Sequence, residues 1–134
     1  MPSFRDISIK AVLAGFAADI VATLGISFLL VSAMVANDIP EAEIGLRMKT
    51  LSGLLLSLIV GLCCTGTGAY IAGRIAKSQE MFHGIIVSLL GMALGLFFTE
   101  TGIPLWYDIA SYVLILPAGA AGGYLALLRR KEPS

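Results

Sequence analysis

The stretch GFAADIVATLGISFLLVSAMVA, residues 15–36, is almost entirely apolar or small and carries one carboxylate, Asp19. A helix exposed to water would surround such a carboxylate with other polar residues, whereas this run continues without a further charge to Ala36. A helix needs roughly 20 apolar residues to cross a bilayer. We therefore interpret the run as part of a membrane-spanning helix, and Asp19 is the residue that needs an explanation.

The composition of the whole chain agrees with a membrane environment. Hydrophobic residues make up 57% of the 134 residues, and charged residues make up 13%. Soluble domains carry about 25% charged residues, so most of this surface is unsuited to water. The formal net charge is zero, which excludes the basic field of a nucleic-acid-binding protein. We expect the lipid bilayer as the main partner and no nucleic acid.

Four apolar segments follow one another along the chain. They cover approximately residues 7–36, 51–76, 82–98 and 106–128. Because lipid offers the backbone no hydrogen-bond partners, each segment is expected to be a helix. The first segment is far longer than the roughly 7–15 apolar residues of a signal peptide, so we expect it to stay in the protein. The sequence therefore predicts an all-α fold, a single domain over residues 1–134 with four transmembrane helices.

The basic residues predict an orientation in the membrane. In a four-span layout, the N-terminus, the connection between the second and third segments, and the C-terminus share one side. These places hold seven of the nine basic residues, namely Arg5, Lys10, Arg74, Lys77, Arg129, Arg130 and Lys131. Because cytoplasmic loops carry an excess of Lys and Arg, both termini are expected in the cytoplasm.

On the opposite side, the loop NDIPEAEIGLRMKT, residues 37–50, separates the first two segments. A turn is expected at Pro40, and the following residues are expected to form a short helix on the membrane surface. Glu43 and Arg47 are four residues apart on that helix, which is the spacing of a weak exposed ion pair.

Every segment carries small residues at a spacing of four, a pattern that lets helix backbones approach closely in membranes. The glycines expected at helix contacts are Gly61, Gly68, Gly73, Gly91, Gly95, Gly119, Gly122 and Gly123. Of these, Gly91 and Gly95 are expected to give the closest backbone approach in the third segment. The pattern indicates a compact bundle, and it does not separate contacts within one chain from contacts between copies in a homo-oligomer.

Asp19 is expected near the middle of the bilayer. At 1.5 Å per residue, it lies about 13 Å deeper than Lys10. The same arithmetic places Thr65 of the second segment at this depth and places no Lys, Arg or His there. Thr23 is one helical turn from Asp19, on the same face. Asp19, Thr23 and Thr65 are therefore the candidate site, and burial without a cation favours the neutral acid.

Two main interpretations of this site remain open. In the first, Asp19 is a hydrogen-bond donor that holds helices together, and the protein is a non-enzymatic component of a homo-oligomer or a larger membrane complex. In the second, Asp19 binds and releases a proton or cation in a small channel or transporter. A water-lined face or a partner protein that supplies a positive charge would also explain it. The first interpretation is preferred because few hydroxyl groups are expected near Asp19.

The sequence also predicts a structural role for Pro117 and a position for His83. Pro117 interrupts the fourth segment and predicts a kink, because the carbonyl group of Val113 loses its usual donor. His83 is expected at the membrane interface near Glu80. The sequence offers one His, no nucleophile with a matching base, no glycine-rich phosphate loop after a strand and no metal-ligand spacing. We therefore expect no enzyme activity, no cofactor and no metal site.

Two stretches resemble small, uncharacterised bacterial four-span integral membrane proteins. They are GAYIAGRIAKSQEMFHGIIVSLLG, residues 68–91, and PLWYDIASYVLILPAGAAGGYLALLRRK, residues 104–131. The shared features include a glycine-rich helix that ends in Tyr and Gly-Arg, a short basic loop, and His-Gly at the start of the next helix. Such proteins often have Gly-Gly before the first Tyr, where this chain has Gly68-Ala69. The resemblance implies a four-span architecture in the bacterial inner membrane and implies no activity.

Overall fold

The computed structural model describes residues 6–98 and 100–132, and this part of the chain contains helices and no strands. The helices are, in order, α1 (Ile9–Ala36), α2 (Glu41–Met48), α3 (Leu51–Ala76), α4 (Glu80–Phe97) and α5 (Leu105–Lys131). Among the described residues, α1, α3, α4 and α5 are long and apolar enough to cross a membrane. The predicted all-α fold with four spans is confirmed, and the chain is a multi-pass membrane protein.

Side-chain caps fix the starts of two spanning helices. Ser8 caps α1, because its Oγ accepts a hydrogen bond from the amide of Ala11 at 3.3 Å. Thr50 caps α3 in the same way, with its Oγ1 accepting from the amide of Gly53 at 3.3 Å. Each cap satisfies an amide that has no partner within its own helix. For this reason α1 begins at Ile9, slightly after the apolar segment does.

The connection between α3 and α4 is a tight reversal. Lys77 and Gln79 both take a left-handed backbone conformation, with φ of 55° and 48°. Residues other than glycine rarely adopt this conformation, and here it turns the chain within three residues. As a result α4 starts at Glu80, two residues before the predicted start of the third segment.

The predicted surface helix is α2, which begins directly after Pro40. Its predicted ion pair is present, with Arg47 donating to Oε1 of Glu43 at 2.7 Å. The pair is about half exposed, so it contributes only about 0.2–0.5 kcal/mol. The apolar residue Ile44 is buried and holds α2 against the bundle.

The helix α3 is central, because it packs against α1, α4 and α5. The helix α4 also contacts α1 and α5, whereas the described parts of α1 and α5 do not contact each other. We call the end that holds α2 and the α4–α5 connection the α2 end. The opposite end, which holds Ser8, the α3–α4 connection and Glu132, is the terminal end.

Glycines bring the helices closest together in the half of the bundle nearer the terminal end. On α1 and α3, a Cβ added to either Gly15 or Gly68 would lie 2.5 Å from the carbonyl oxygen of the other. On α4 and α5, an added Cβ at Gly84 would overlap the carbonyl group of Gly119. Such contacts allow dispersion and Cα–H···O interactions between helices. The terminal half of the bundle is therefore tightly closed.

The expected helix contacts at glycine divide into two groups. Gly68, Gly73, Gly119, Gly122 and Gly123 lie at close crossings, where an added Cβ would meet backbone or Cβ atoms within 3 Å. The other three behave differently, and the expectation of a closest approach on α4 at Gly91 and Gly95 is wrong. An added Cβ at Gly61 or Gly95 would meet nothing within 4 Å, and one at Gly91 would make only ordinary contacts. The close glycine of α4 is Gly84, because it faces Gly119 directly.

Candidate functional site

Asp19 lies inside the bundle and receives hydrogen bonds from two threonines. Its exposed fraction is 7%. Thr65 of α3 donates from Oγ1 to Oδ2 of Asp19 at 3.2 Å, and Thr23 of α1 donates to Oδ1 at 3.4 Å. The structure thus brings together the three residues of the candidate site. Thr23 lies on the same helix as Asp19, and Thr65 lies on a neighbouring helix.

The close contact between α1 and α3 at their glycines explains how the side chain of Thr65 reaches Asp19. Asp19 is one turn after Gly15 on α1, and Thr65 is nearly one turn before Gly68 on α3. A Cβ added to Gly68 would lie only 2.8 Å from Cβ of Asp19. A larger residue at position 68 would force the helices apart and separate the hydroxyl group of Thr65 from the carboxyl group.

Asp19 also lines a cavity of about 410 Å³ that is bounded by α1, α3, α4 and α5. Its polar lining residues are Asp19, Thr23, Ser57, Thr65, Tyr107 and Ser111. Most of the remaining wall is carbon, supplied by aromatic and branched apolar side chains. Among the described residues that form the wall, none is Lys, Arg or His. The carboxyl group of Asp19 is therefore the one acidic group of an apolar cavity.

Three glycines make room for this cavity. Gly61 and Gly95 lie in its wall and have open space where a Cβ would stand. Gly91 lies beside the acid, because its added Cβ would be 3.6 Å from Oδ2 of Asp19. The absence of a side chain at Gly91 leaves that face of the carboxyl group accessible from the cavity.

A second cavity, of about 670 Å³, lies next to the first, on the side of the α2 end. The two share part of their lining, including Ser57, Tyr107 and Ser111. The second cavity also reaches the charged residues Lys49, Glu100 and Asp108. The two cavities therefore occupy the bundle between Asp19 and the α2 end, whereas glycine crossings pack the helices closely in the terminal half.

Sequence reasoning missed the hydroxyl groups of Ser57, Tyr107 and Ser111. A spacing signal for them exists, because Ser57 lies two helical turns before Thr65 on α3 and Tyr107 lies one turn before Ser111 on α5. These hydroxyl groups line the cavity, whereas the hydroxyl groups that bond to Asp19 are those of Thr23 and Thr65. The signal was weak because each of these residues stands alone within an apolar run.

His83 lies elsewhere, in the first turn of α4 at the terminal end, and its position at the membrane interface stays a prediction. It is fully buried. Its Nε2 accepts a hydrogen bond from the amide of Ser8 at 3.0 Å, so its Nδ1 carries the proton and donates to the carbonyl oxygen of Gln79 at 3.0 Å. His83 therefore ties the start of α1 to the start of α4. Its neighbour Glu80 instead pairs with Arg130 at 2.9 Å.

Pro117 is exposed on α5, which continues through it as one helix. It stands two residues before Gly119, the α5 glycine that packs against α4. The kink itself stays a prediction.

In the described part of the chain, no three His, Cys, Asp or Glu residues are grouped so that they could hold a metal ion.

Comparison of the chain with protein-family models, with curated proteins and with solved structures finds no match. The geometry of the Asp19 cavity is therefore the basis for a proposal about function.

Proposed function

We propose that this protein is a small proton- or cation-coupled transporter of the bacterial inner membrane, in which Asp19 binds and releases the ion. The observation that carries the proposal is the position of the Asp19 carboxyl group, which is buried in the wall of one cavity while a second, adjacent cavity reaches the α2 end. An acid that only held helices together would not need a cavity beside it.

The energetics of the carboxyl group support an exchange site. An ionised carboxylate in the middle of a bilayer costs roughly 2.5–3.5 kcal/mol by insertion scales, and the cavity wall supplies no cationic side chain. The acid therefore retains its proton until a cation takes the proton's place. The hydroxyl groups of Thr23 and Thr65 donate to the carboxyl oxygens, which stabilises the ionised state during the exchange.

The closed half of the bundle favours a transporter over a channel. The cavity at Asp19 lies next to the α1–α3 crossing, where Gly15 and Gly68 are in close contact and do not line it. A channel needs a continuous polar path, whereas a transporter needs one open side at a time. Release to the other side would then require these glycine contacts to loosen.

The proposed orientation places both termini in the cytoplasm and the α2 end outside. Its support is the distribution of Lys and Arg. In this orientation the two cavities lie between Asp19 and the external solution. The proposal includes neither an enzyme activity nor a cofactor.

A second candidate function is a packing component of a homo-oligomer or a larger membrane complex. It is favoured by α1, whose buried residues, Ala11, Val12, Gly15 and Asp19, all lie in its first half. The second half exposes large apolar side chains such as Phe28 and Leu29, which are 72% and 66% exposed. In a spanning helix such side chains contact lipid, or they pack against a second copy or a partner helix.

Ion flux into liposomes tests the transporter proposal. The purified protein is reconstituted with an internal pH dye, and a membrane potential is imposed with a panel of cations outside. We expect flux with the wild-type protein and none with Asp19→Asn, because an amide keeps the shape of the acid but cannot exchange a proton. Asp38→Asn is the matched control, since Asp38 is exposed in the turn before α2. Equal flux with Asp19→Asn, or none with either protein, would reject the proposal.

A further inference from the structure

The atoms around Asp19 do not suit a hard metal cation. Three side chains carry oxygen atoms at the carboxyl group: Asp19 itself, Thr23 and Thr65. A cation such as Ca²⁺ takes about 6–8 oxygen ligands, and Mg²⁺ keeps an octahedral shell. An organic ammonium or phosphonium ion needs no such shell. One carboxylate together with apolar surroundings is enough to hold it.

The wall of the cavity has the composition that such an ion requires. Beyond the few polar groups it is made of carbon, and Phe16, Phe98 and Tyr107 contribute aromatic rings. Aromatic faces attract organic cations, and more strongly where water is excluded. The volume of about 410 Å³ falls within the roughly 300–1,000 Å³ typical of small-molecule sites.

The cavity also has a lateral opening. Leu24 on α1 and Leu94 and Phe98 at the far end of α4 line it, yet they are 65%, 38% and 74% exposed. A residue that both lines a cavity and lies on the outer surface marks the rim of its mouth. Because Leu24 and Leu94 belong to the apolar spans, this mouth between α1 and α4 faces the hydrocarbon of the bilayer.

We propose, building on the transporter function above, that the ion bound at Asp19 is a lipophilic organic cation that reaches the cavity sideways from the bilayer. The cation replaces the carboxyl proton, so one positive charge arrives as one leaves and the site stays neutral. The proton leaves along the second cavity, past Ser111 and Tyr107, toward the α2 end. The carboxylate and the cation then form an ion pair inside the apolar wall.

Binding of tritiated tetraphenylphosphonium to the full chain in lipid nanodiscs tests this inference. We expect saturable binding to the wild-type protein that weakens about tenfold or more in Asp19→Asn, because the charge partner is lost. Gly95→Leu should weaken binding similarly by filling the cavity. Gly25→Leu is its control, because Gly25 also has open space around its Cα but does not line the cavity.

A second control uses tetraphenylborate, which has the same shape and the opposite charge. It should not compete with tetraphenylphosphonium. Competition by tetraphenylborate, or unchanged binding in Gly95→Leu, would overturn the inference. Asp19-dependent ion flux in liposomes without any tetraphenylphosphonium binding would also overturn it, while leaving the transporter proposal in place. Absence of both flux and binding would overturn both.

Discussion

Thr65 on α3 donates a hydrogen bond to Oδ2 of Asp19 on α1 at 3.2 Å, and the two residues lie 46 positions apart in the chain. Both are buried. The bond forms beside the contact of Gly15 with Gly68, which holds the two helices close together. The position of the acid is therefore set by two helices and not by one.

Replacing Thr65 with Val tests this bond, because Val keeps the shape and removes the donor. Membrane hydrogen bonds average about 0.6 kcal/mol and reach about 1.7 kcal/mol, so we expect a decrease of that size in the free energy of unfolding. Cation binding at Asp19 should weaken as well. The measurement is unfolding by steric trapping in bicelles, combined with the binding assay.

Thr67→Val is the matched control for Thr65→Val. The Thr67 hydroxyl donates to the carbonyl oxygen of Cys63 on its own helix at 2.8 Å, and Thr67 is exposed. Equal effects of the two changes on cation binding would show that the Thr65 bond has no special part in the site.

Two glycines of the same helix should respond in opposite ways to Ala. Gly84→Ala places a Cβ against the carbonyl group of Gly119, and such overpacking costs about 1–3 kcal/mol. Gly95→Ala meets nothing within 4 Å and should leave stability unchanged or slightly higher, because Ala favours helix. Unfolding free energies of the two variants provide the test. Similar unfolding free energies for the two variants would mean that Gly84 and Gly119 are not in close contact.

His83→Leu should loosen the junction between α1 and α4. The change removes both ring nitrogens, so the amide of Ser8 loses its acceptor, and an unpaired buried polar group costs about 1–3 kcal/mol. Hydrogen exchange at the Ser8 amide should become faster. Met81→Leu, a conservative change at an exposed neighbouring position, should leave that exchange rate as it is. Unchanged protection in His83→Leu would show that the bond is unimportant for the junction.

The proposed orientation can be tested with alkaline phosphatase, which is active only outside the cytoplasm. Fusions after Asn37, Gln79, Gly102 and Ser134 sample the connections and the C-terminus. Activity is expected at Asn37 and Gly102, because the basic residues cluster on the other side. Activity at Gln79 would contradict the orientation.

Features that depend on one helix at a time were predictable from the sequence. The second segment, 51–76, coincides with α3, because lipid requires a helix wherever a long apolar run occurs. The depth of Thr65 relative to Asp19 followed from the fixed rise of a helix. Fixed helix geometry is therefore the reason that the candidate site could be located before the fold was known.

Features that depend on how helices are placed around one another were not predictable in this way. Small residues at a spacing of four mark both close crossings, as at Gly68, and the wall of a cavity, as at Gly61. A glycine has no side chain in either case, so the sequence pattern is the same. The hydrogen bond of His83 was not predictable for a related reason. Its partner is a backbone amide of another helix, and backbone groups leave no trace in a sequence.

Proton release during cation binding would show directly whether Asp19 exchanges a proton for a cation. Tetraphenylphosphonium is added to the wild-type protein in a weakly buffered solution with a pH indicator dye, and the released protons are compared with the bound cation. We predict one proton released for each cation bound, and neither proton release nor tight binding in Asp19→Asn. Tight binding without proton release, or equal release from Asp19→Asn, would contradict the account of Asp19 as the exchange site.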